Sequence, residues 1–184
     1  MEYIEVSREE YIQYKAESEN LSYEEAEKLL DIQIWNTMIS HGLVTCSPLS
    51  TGFEETDYTY EDRVRTSYGY FYSQQPVPNS GGYMSVKMSV FAVTVSAYGG
   101  RYIAHVSGNV ILQAGSNGGY TVSGGGDVVW DDHTVRLSCT GNAEIALSIA
   151  HSVNLDAQVI QYGQTYGSTE YLRFPFTLRD TIYF

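Results

Sequence analysis

The chain has 184 residues, of which 43% are hydrophobic and 17% are charged, and its formal net charge is −12. This length is enough for one domain with a small appendage and for a core that needs no disulfide or metal. The hydrophobic content excludes a disordered polypeptide. The negative charge disfavours nucleic-acid backbones and anionic membrane surfaces as partners, because both would be repelled.

The residue composition favours β-structure. Tyr and Gly each occur 17 times, whereas Phe occurs 6 times and Trp twice. Aromatic residues suit the half-buried surface of a strand, and Gly marks turns. The longest apolar run, VFAVTV at 90–95, has the length of a strand and is far too short for a membrane span. We therefore expect no transmembrane segment.

The acidic N-terminal segment is predicted to form a pair of helices. Ten acidic and three basic residues give positions 1–40 a charge of −7 (3 − 10) out of the total −12. Two S-x-x-E capping boxes mark helix starts. They are Ser7 with Glu10 and Ser22 with Glu25. We expect the helices at 8–18 and 23–31.

The second helix is predicted to continue beyond residue 31. Apolar residues recur at helical spacing through IQIWNTMIS, and Gly42 would end the helix. The β-branched residues Ile32, Ile34 and Thr37 leave a strand as the alternative for this stretch.

The helical pair, SREEYIQYKAESENLSYEEAEKLLD at 7–31, resembles a segment that recurs near the start of uncharacterised secreted proteins of Gram-positive bacteria. The resemblance covers about a seventh of the chain. It implies a secreted origin and brings no characterised activity with it.

The remainder of the chain alternates with a period of two, which predicts strands. We expect them at 58–73, 83–98, 101–114, 119–130, 134–140, 143–152, 155–162 and 170–178. Tight turns separate them. The turns are Gly99-Gly100, SNGG at 116–119, Asp131-Asp132 and Gly141-Asn142, with a longer loop at Ser80-Gly81-Gly82.

Many even strands joined by short turns indicate a mainly β protein. We predict an antiparallel β-sandwich, with a meander barrel as the alternative, and an N-terminal α-helical pair. The helical segment, 1–45, would pack on or precede the β domain, 46–184.

Strand 83–98 has the least regular alternation, since both its faces are largely apolar. We therefore place it centrally, beneath the N-terminal helices. Lys87 interrupts this strand and is the only Lys after residue 28. A desolvated ammonium is unfavourable without a partner, so Lys87 is expected on an exposed strand face.

The stretch SYGYFYS at 67–73 raises the main functional question. In a strand, Tyr68, Tyr70 and Tyr72 point to one side, and Tyr58 and Tyr60 continue that parity. Such rings could stack on sugars or form a protein interface. They could equally cover a sheet face beneath a loop or helix, with their hydroxyls reaching water.

The turn DVVWDDHT offers weak candidates for cation ligands and one for ligand stacking. Its polar groups match no calcium-loop spacing, and Asp-Asp is ordinary turn chemistry. The candidates for a metal are Asp127, Asp131, Asp132 and His133. We expect no metal and no other cofactor. Trp130 is more suited to the core, although its place beside a loop also suits a sugar contact.

The two cysteines, Cys46 and Cys139, fit neither a metal motif nor a CxxC redox motif. In an oxidising compartment they could form a disulfide that closes a long loop. Two unrelated buried thiols are equally compatible with the sequence.

The sequence contains no recognisable catalytic motif. His105 lies in a strand pattern, where we expect a sheet residue whose hydrogen-bonding groups have partners. A glycosidase would need two positioned carboxylates, and the candidates in the predicted strands are Glu144 and Glu170.

Taken together, these features predict a secreted or surface-exposed bacterial protein that binds a glycan or protein ligand without catalysis. The alternatives are a homo-oligomeric subunit of an extracellular or phage assembly and a small hydrolase without a recognisable motif. The first residues lack a basic start and an apolar core and are not a signal peptide. We expect an extracellular or cell-surface location, with a cytoplasmic one as the alternative.

Overall fold

The computed structural model describes residues 2–44, 64–97, 100–152, 155, 165–166 and 169–184. Helices and strands follow one another along the chain in a mainly β order. They are β1 (Glu2–Glu5), α1 (Arg8–Glu19), α2 (Tyr23–Ser40), β2 (Val64–Pro76), β3 (Ser85–Ala97), β4 (Gly100–Val106), β5 (Ile111–Ala114), β6 (Tyr120–Trp130), β7 (Thr134–Ala146), α3 (Leu147–Ser152), β8 (Thr165–Tyr166) and β9 (Thr169–Tyr183).

The strands form two antiparallel sheets. In the first sheet the order is β1-β2-β3-β4, and β5 also pairs with β3. The order in the second sheet is β6-β7-β9-β8. The predicted mainly β fold is confirmed as a sandwich, and the alternative of a closed barrel is wrong.

The core lies between the two sheets. Alternate residues of β3, such as Val86, Met88 and Val90, are fully buried against the inward residues of the second sheet, such as Leu137 and Phe174. Each such side chain stabilises the fold by about 1.5–3 kcal/mol. The two sheets are therefore held together by the apolar side chains that recur at every second residue of their strands.

The second face of β3 is covered by the helices. Val93 and Val95 are buried against Ile12, Leu30 and Ile34. The prediction of a central strand beneath the helices is thus confirmed, and the N-terminal segment packs on the β domain.

Both capping boxes are formed, and they set the helix starts. The hydroxyl of Ser7 accepts from the amide of Glu10, and that of Ser22 accepts from the amide of Glu25. The second helix continues to Ser40, so the strand alternative for this stretch is wrong. Gly42, with φ of 67°, follows the helix end as expected.

The predicted turn at Gly141-Asn142 is wrong, because β7 runs straight through it. Gly141 faces Gly124 in the neighbouring strand, and a Cβ on Gly141 would lie 2.1 Å from the carbonyl oxygen of Ser123. Glycine is needed there for the close approach of two strands. The predicted strand at 143–152 is wrong for the same reason, since its first part belongs to β7 and its second part is α3.

Other predicted boundaries shift. The strand expected at 101–114 divides into β4 and β5, and β1 was not predicted at all. The turns at 116–119 and at Asp131-Asp132 link successive strands as expected. Residues 156–162 of the expected strand at 155–162, the first part of 58–73 and Gly99 lie outside the described residues, whereas residue 155 is described and is not in a strand.

A buried polar cluster joins α1 to β4. The ammonium of Lys15 is only 2% exposed and donates to Glu19 at 2.7 and 2.8 Å. It also lies 3.2 Å from Nε2 of His105, while Nδ1 of His105 lies 2.7 Å from the hydroxyl of Tyr11. An ammonium only donates, so Nε2 accepts and the neutral ring donates from Nδ1 to Tyr11.

The neutral state of His105 follows from its surroundings. Burial, reinforced by the charge of Lys15, lowers the pKa of His105 to about 3. A strand histidine whose ring nitrogens have hydrogen-bond partners was expected from the sequence, and the contacts of His105 are consistent with that expectation.

Gly69, the third residue of SYGYFYS, allows β1 to pair closely with the sheet. The ring of Tyr3 lies over this glycine, and its hydroxyl donates to the carbonyl of Ser67 at 2.9 Å. A Cβ on Gly69 would lie 2.2 Å from the carbonyl oxygen of Ile4 and 2.7 Å from the Tyr3 ring. Only glycine allows β1 to approach this closely.

The neutral His105 should make stability fall with acidification. Its pKa is depressed in the folded state, so the unfolded chain binds one more proton as the pH falls below about 6.5. Between pH 7.5 and pH 5 the wild type should lose about 2 kcal/mol more than His105→Gln in urea unfolding. The matched control is His133→Gln, which replaces an exposed turn histidine outside the buried cluster. If the unfolding free energies of the wild type and His105→Gln fall equally between pH 7.5 and pH 5, the assignment of a neutral, buried His105 is wrong.

Replacing Gly69 by alanine should displace β1. Overpacking against backbone should lower the free energy of unfolding by about 2–3 kcal/mol. Gly125→Ala is the control, because a Cβ on Gly125 meets nothing within 4 Å. Chemical denaturation of both variants checks this, and equal stabilities would show that the close approach of β1 is unimportant.

Candidate ligand-binding face

The first sheet has an outer face that the helices cover only in part. Even-numbered residues of β2 and odd-numbered residues of β3 point away from the second sheet, because their neighbours in the chain fill the inner core. The helices pack on the end that carries Val93, Val95 and Tyr68.

Tyr68 belongs to the covered end. Its ring lies 5.9 Å from that of Tyr11 in α1, and its hydroxyl is hydrogen-bonded to Arg8. Burial raises the pKa of Tyr68. Arg8 in turn holds α2 through Glu27 and Asp31, at 2.6 and 2.8 Å. Tyr68 therefore supports α1 from beneath.

Tyr70 and Phe91 form the next row along the outer face. They are directly opposite in register, with ring centroids 5.5 Å apart. Tyr14, from the edge of α1, stacks on Phe91 at 3.8 Å with an interplanar angle of 20°. All three side chains are half-buried. The rings make a continuous aromatic surface at the helix edge.

Tyr72 carries the aromatic surface further from the helices. The ammonium of Lys87 lies 4.2 Å from the centroid of the Tyr72 ring and 5.8 Å from that of Tyr70. A cation over a ring is attracted by the negative π-face. Lys87 is half-buried on the outer face, which agrees with its expected position.

Two glutamines flank Lys87. Gln74 of β2 and Gln113 of β5 are its direct neighbours in register, and both are exposed. An amide offers both a donor and an acceptor. The outer face thus changes from aromatic to polar with distance from α1. We define the open face as Tyr14, Tyr70, Tyr72, Gln74, Lys87, Phe91 and Gln113.

Carboxylates border one end of the open face. Tyr14 lines a shallow depression on α1 together with Glu9, Glu10, Glu17 and two further side chains. The opposite end of the open face carries Lys87. The electrostatic potential is therefore expected to change from negative to positive along the face.

Sequence reasoning identified only part of this face. Tyr70 and Tyr72 were found from their parity, whereas Tyr14, Phe91 and Gln113 were missed as ligand candidates. The odd parity shared by Phe91 and Lys87 could have placed both on one face. Tyr58 and Tyr60, which were expected to extend the stripe, lie outside the described residues.

Trp130 and the acidic turn lie in a different part of the fold, at β6 and the β6–β7 connection. Trp130 is 38% exposed. Asp131 accepts from the amide of His133 at 3.0 Å, and this bond lowers the pKa of Asp131. Asp127 lies within β6, opposite Ser138. In the described ranges, no three His, Cys, Asp or Glu side chains are grouped as a metal site.

The same turn makes an aromatic contact that the sequence did not indicate. Asp132 lies 3.4 Å from Nε2 of His41, just after α2. The ring of His41 stacks on Tyr102 at 3.7 Å, and His133 lies 5.3 Å from Tyr102. These contacts hold the end of α2 against the sandwich.

The remaining candidates have structural surroundings. Cys139 is a free buried thiol 3.2 Å from the sulfur of Met88, and Cys46 lies outside the described residues, so a pairing stays a prediction. Glu144 forms an ion pair with Arg173 at 2.6 Å. The side chain of Glu170 is not among those described.

Comparison with known proteins gives no relative for this chain. No protein-family model matches it, and neither a curated protein nor a solved structure does so. Of the helices that the structure describes, none has the length and apolar character needed to cross a membrane.

Tyr68 and Tyr72 should differ in their effect on stability, although sequence parity places them together. Tyr68→Ala leaves a gap beneath α1 and should cost about 2–3 kcal/mol of unfolding free energy. Tyr72→Ala removes a half-buried ring with a cation–π contact and should cost about 1 kcal/mol. Urea unfolding of the two variants checks this. Equal costs would show that α1 does not depend on Tyr68.

Proposed function

We propose that the protein is a secreted or surface-exposed bacterial binding or adhesion module that takes a carbohydrate on the open face without catalysis. The observation that carries this proposal is the continuous row of half-buried rings beside the exposed amides of Gln74 and Gln113. Sugars have apolar C–H surfaces that stack on aromatic rings and hydroxyls that bond to amides.

The shape of the face supports an extended ligand. Tyr70 and Tyr72 are two residues apart on one strand, which separates them by about 7 Å. The face spans β2, β3 and β5 and is the surface of a sheet, whereas small-molecule sites are usually concave. A chain of several sugar units would contact the rings and the amide row together.

Three described groups with catalytic potential are committed to other contacts, which supports binding without catalysis. Lys15 and His105 are buried between α1 and β4, where no substrate could reach them without displacing the helix. Glu144 is paired with Arg173. A hydrolase, the third alternative, has no observation of its own in its favour.

The proposed location rests on different support. The helical segment at 7–31 resembles secreted proteins of Gram-positive bacteria, and the Tyr-rich, Lys-poor composition is commoner outside the cell.

A second candidate function is that of a subunit in an extracellular or phage assembly. Tyr183 is 79% exposed and Val129 is 61% exposed, both on the outer face of the second sheet. Exposed apolar groups of this kind are suited to subunit contacts.

A glycan array tests the proposal with two matched variants. Wild-type protein should show saturable binding, and Tyr70→Ala/Tyr72→Ala should weaken it about tenfold or more, because each truncated anchor ring costs more than about 1 kcal/mol. Tyr183→Ala is the control, since it removes an exposed ring from the other sheet and should leave binding unchanged.

The failure of this test would be informative. Binding that the double variant retains would show that the ligand lies elsewhere. The absence of any binding, together with oligomers detected by sedimentation velocity in the same preparation, would favour the assembly subunit.

A further inference from the structure

Four described cations form no ion pair with a described carboxylate, and of these Lys87 is half-buried whereas Lys28, Arg101 and Arg179 are exposed. Arg8, Lys15 and Arg173 each lie within 3 Å of a carboxylate oxygen. For Lys87, by contrast, no carboxylate of the described residues lies within ion-pair distance, although the whole chain carries a net charge of −12. Among the described residues, the half-buried ammonium of Lys87 on the open face thus has no carboxylate as a counter-ion.

The surroundings of Lys87 hold its side chain in place. The rings of Tyr72 and Tyr70 attract the ammonium from one side, at 4.2 and 5.8 Å. Fully buried Val86 and Met88 flank it in the strand and fix the backbone. A lysine held over a ring loses less freedom on binding than a lysine that extends into solvent.

The ammonium keeps hydrogen-bonding capacity for a ligand. It has three donors, and its known contacts in the described structure are with ring faces, which leave N–H directions open. Gln113 and Gln74 stand on either side in register and bring amide N–H groups to the same row. Gln74 already donates to Ser85 at 2.8 Å, so Gln113 is the better-placed second donor.

We propose that the saccharide bound by the open face is anionic and that its carboxylate or sulfate group is received by Lys87, with Gln113 beside it. This inference rests on the proposed function and adds the chemical class of the ligand. A charge-assisted hydrogen bond to an anion is stronger than one between neutral groups. The uncharged part of the sugar chain lies on Tyr70, Phe91 and Tyr14.

The charges around the face fix the direction of the ligand. Glu9, Glu10 and Glu17 surround Tyr14 and would repel an anion at that end. The negative group therefore lies at the Lys87 end, and the neutral end of the saccharide lies near α1. A uniformly charged polyanion is disfavoured because its far end would meet these carboxylates.

Two matched pairs of probes test the charge requirement by isothermal titration calorimetry. The first pair is a trisaccharide of two galactose units and one terminal galacturonate, which carries a single carboxylate, and its methyl ester. The second pair is a mono-sulfated trigalactoside and its unsulfated form. The wild type should bind the carboxylate or the sulfate member about tenfold more tightly than its neutral partner. The pair that shows the preference identifies the anion.

Variants of Lys87 separate charge from packing. Lys87→Met keeps an apolar stem and should bind the acidic and neutral probes equally, whereas Lys87→Arg should keep the preference. Raising the salt concentration from 50 to 500 mM should weaken binding of the acidic probe more than that of the neutral probe. Thermal unfolding would establish that both variants are folded.

The outcomes distinguish the two proposals. Equal binding of acidic and neutral probes by the wild type, or a preference that Lys87→Met retains, would overturn the inference and leave the carbohydrate site standing if Tyr70→Ala/Tyr72→Ala abolishes binding. If no saccharide of either charge binds here or on the array, the proposed function fails and the inference fails with it.

Discussion

Strand β3 must be buried on both faces, and the rest of the structure depends on this constraint. One face requires the second sheet, and the other requires the helices. Yet the 13 residues of β3 extend over about 44 Å, whereas the longer helix, with 18 residues, spans about 27 Å. The helix pair covers only the end of β3 that carries Val93 and Val95. The open face is the part of the sheet that lies beyond its reach, and it is surfaced with rings and amides in place of aliphatic residues.

The buried polar cluster determines where the helices stop. Apolar contacts between α1 and the sheet are non-directional and would tolerate sliding. The hydrogen bonds of Lys15 and Tyr11 to His105 have direction, and a shifted helix would leave the buried His105 ring without its partners. This cost favours one register of α1 on β4. The same register places Tyr14 on Phe91 and so sets the boundary of the open face.

Local sequence patterns were sufficient to predict the elements whose formation depends on residues close to one another in the chain. The capping boxes at Ser7 and Ser22 and the two-sided burial of β3 were predictable because each is written within a few residues. Gly141 was mistaken for a turn, since a glycine needed for close strand approach looks the same in sequence. Burial of Lys15 was equally hidden, because its partner His105 is 90 residues away. Parity grouped Tyr68 with Tyr70 and Tyr72, but parity assigns a face and says nothing about what covers it.

The distribution of lysines gives the open face a chemical property of its own. The chain contains three lysines, at positions 15, 28 and 87. Lys15 is enclosed beneath α1, and Lys28 is exposed on α2, within the acidic helical segment. Lys87 is therefore the one lysine side chain of the sandwich itself. Acylation by an amine-directed reagent, followed by peptide mass mapping, would measure the accessibility of this face at one residue, Lys87. Its protection by a bound molecule would be measured against Lys28 in the same sample.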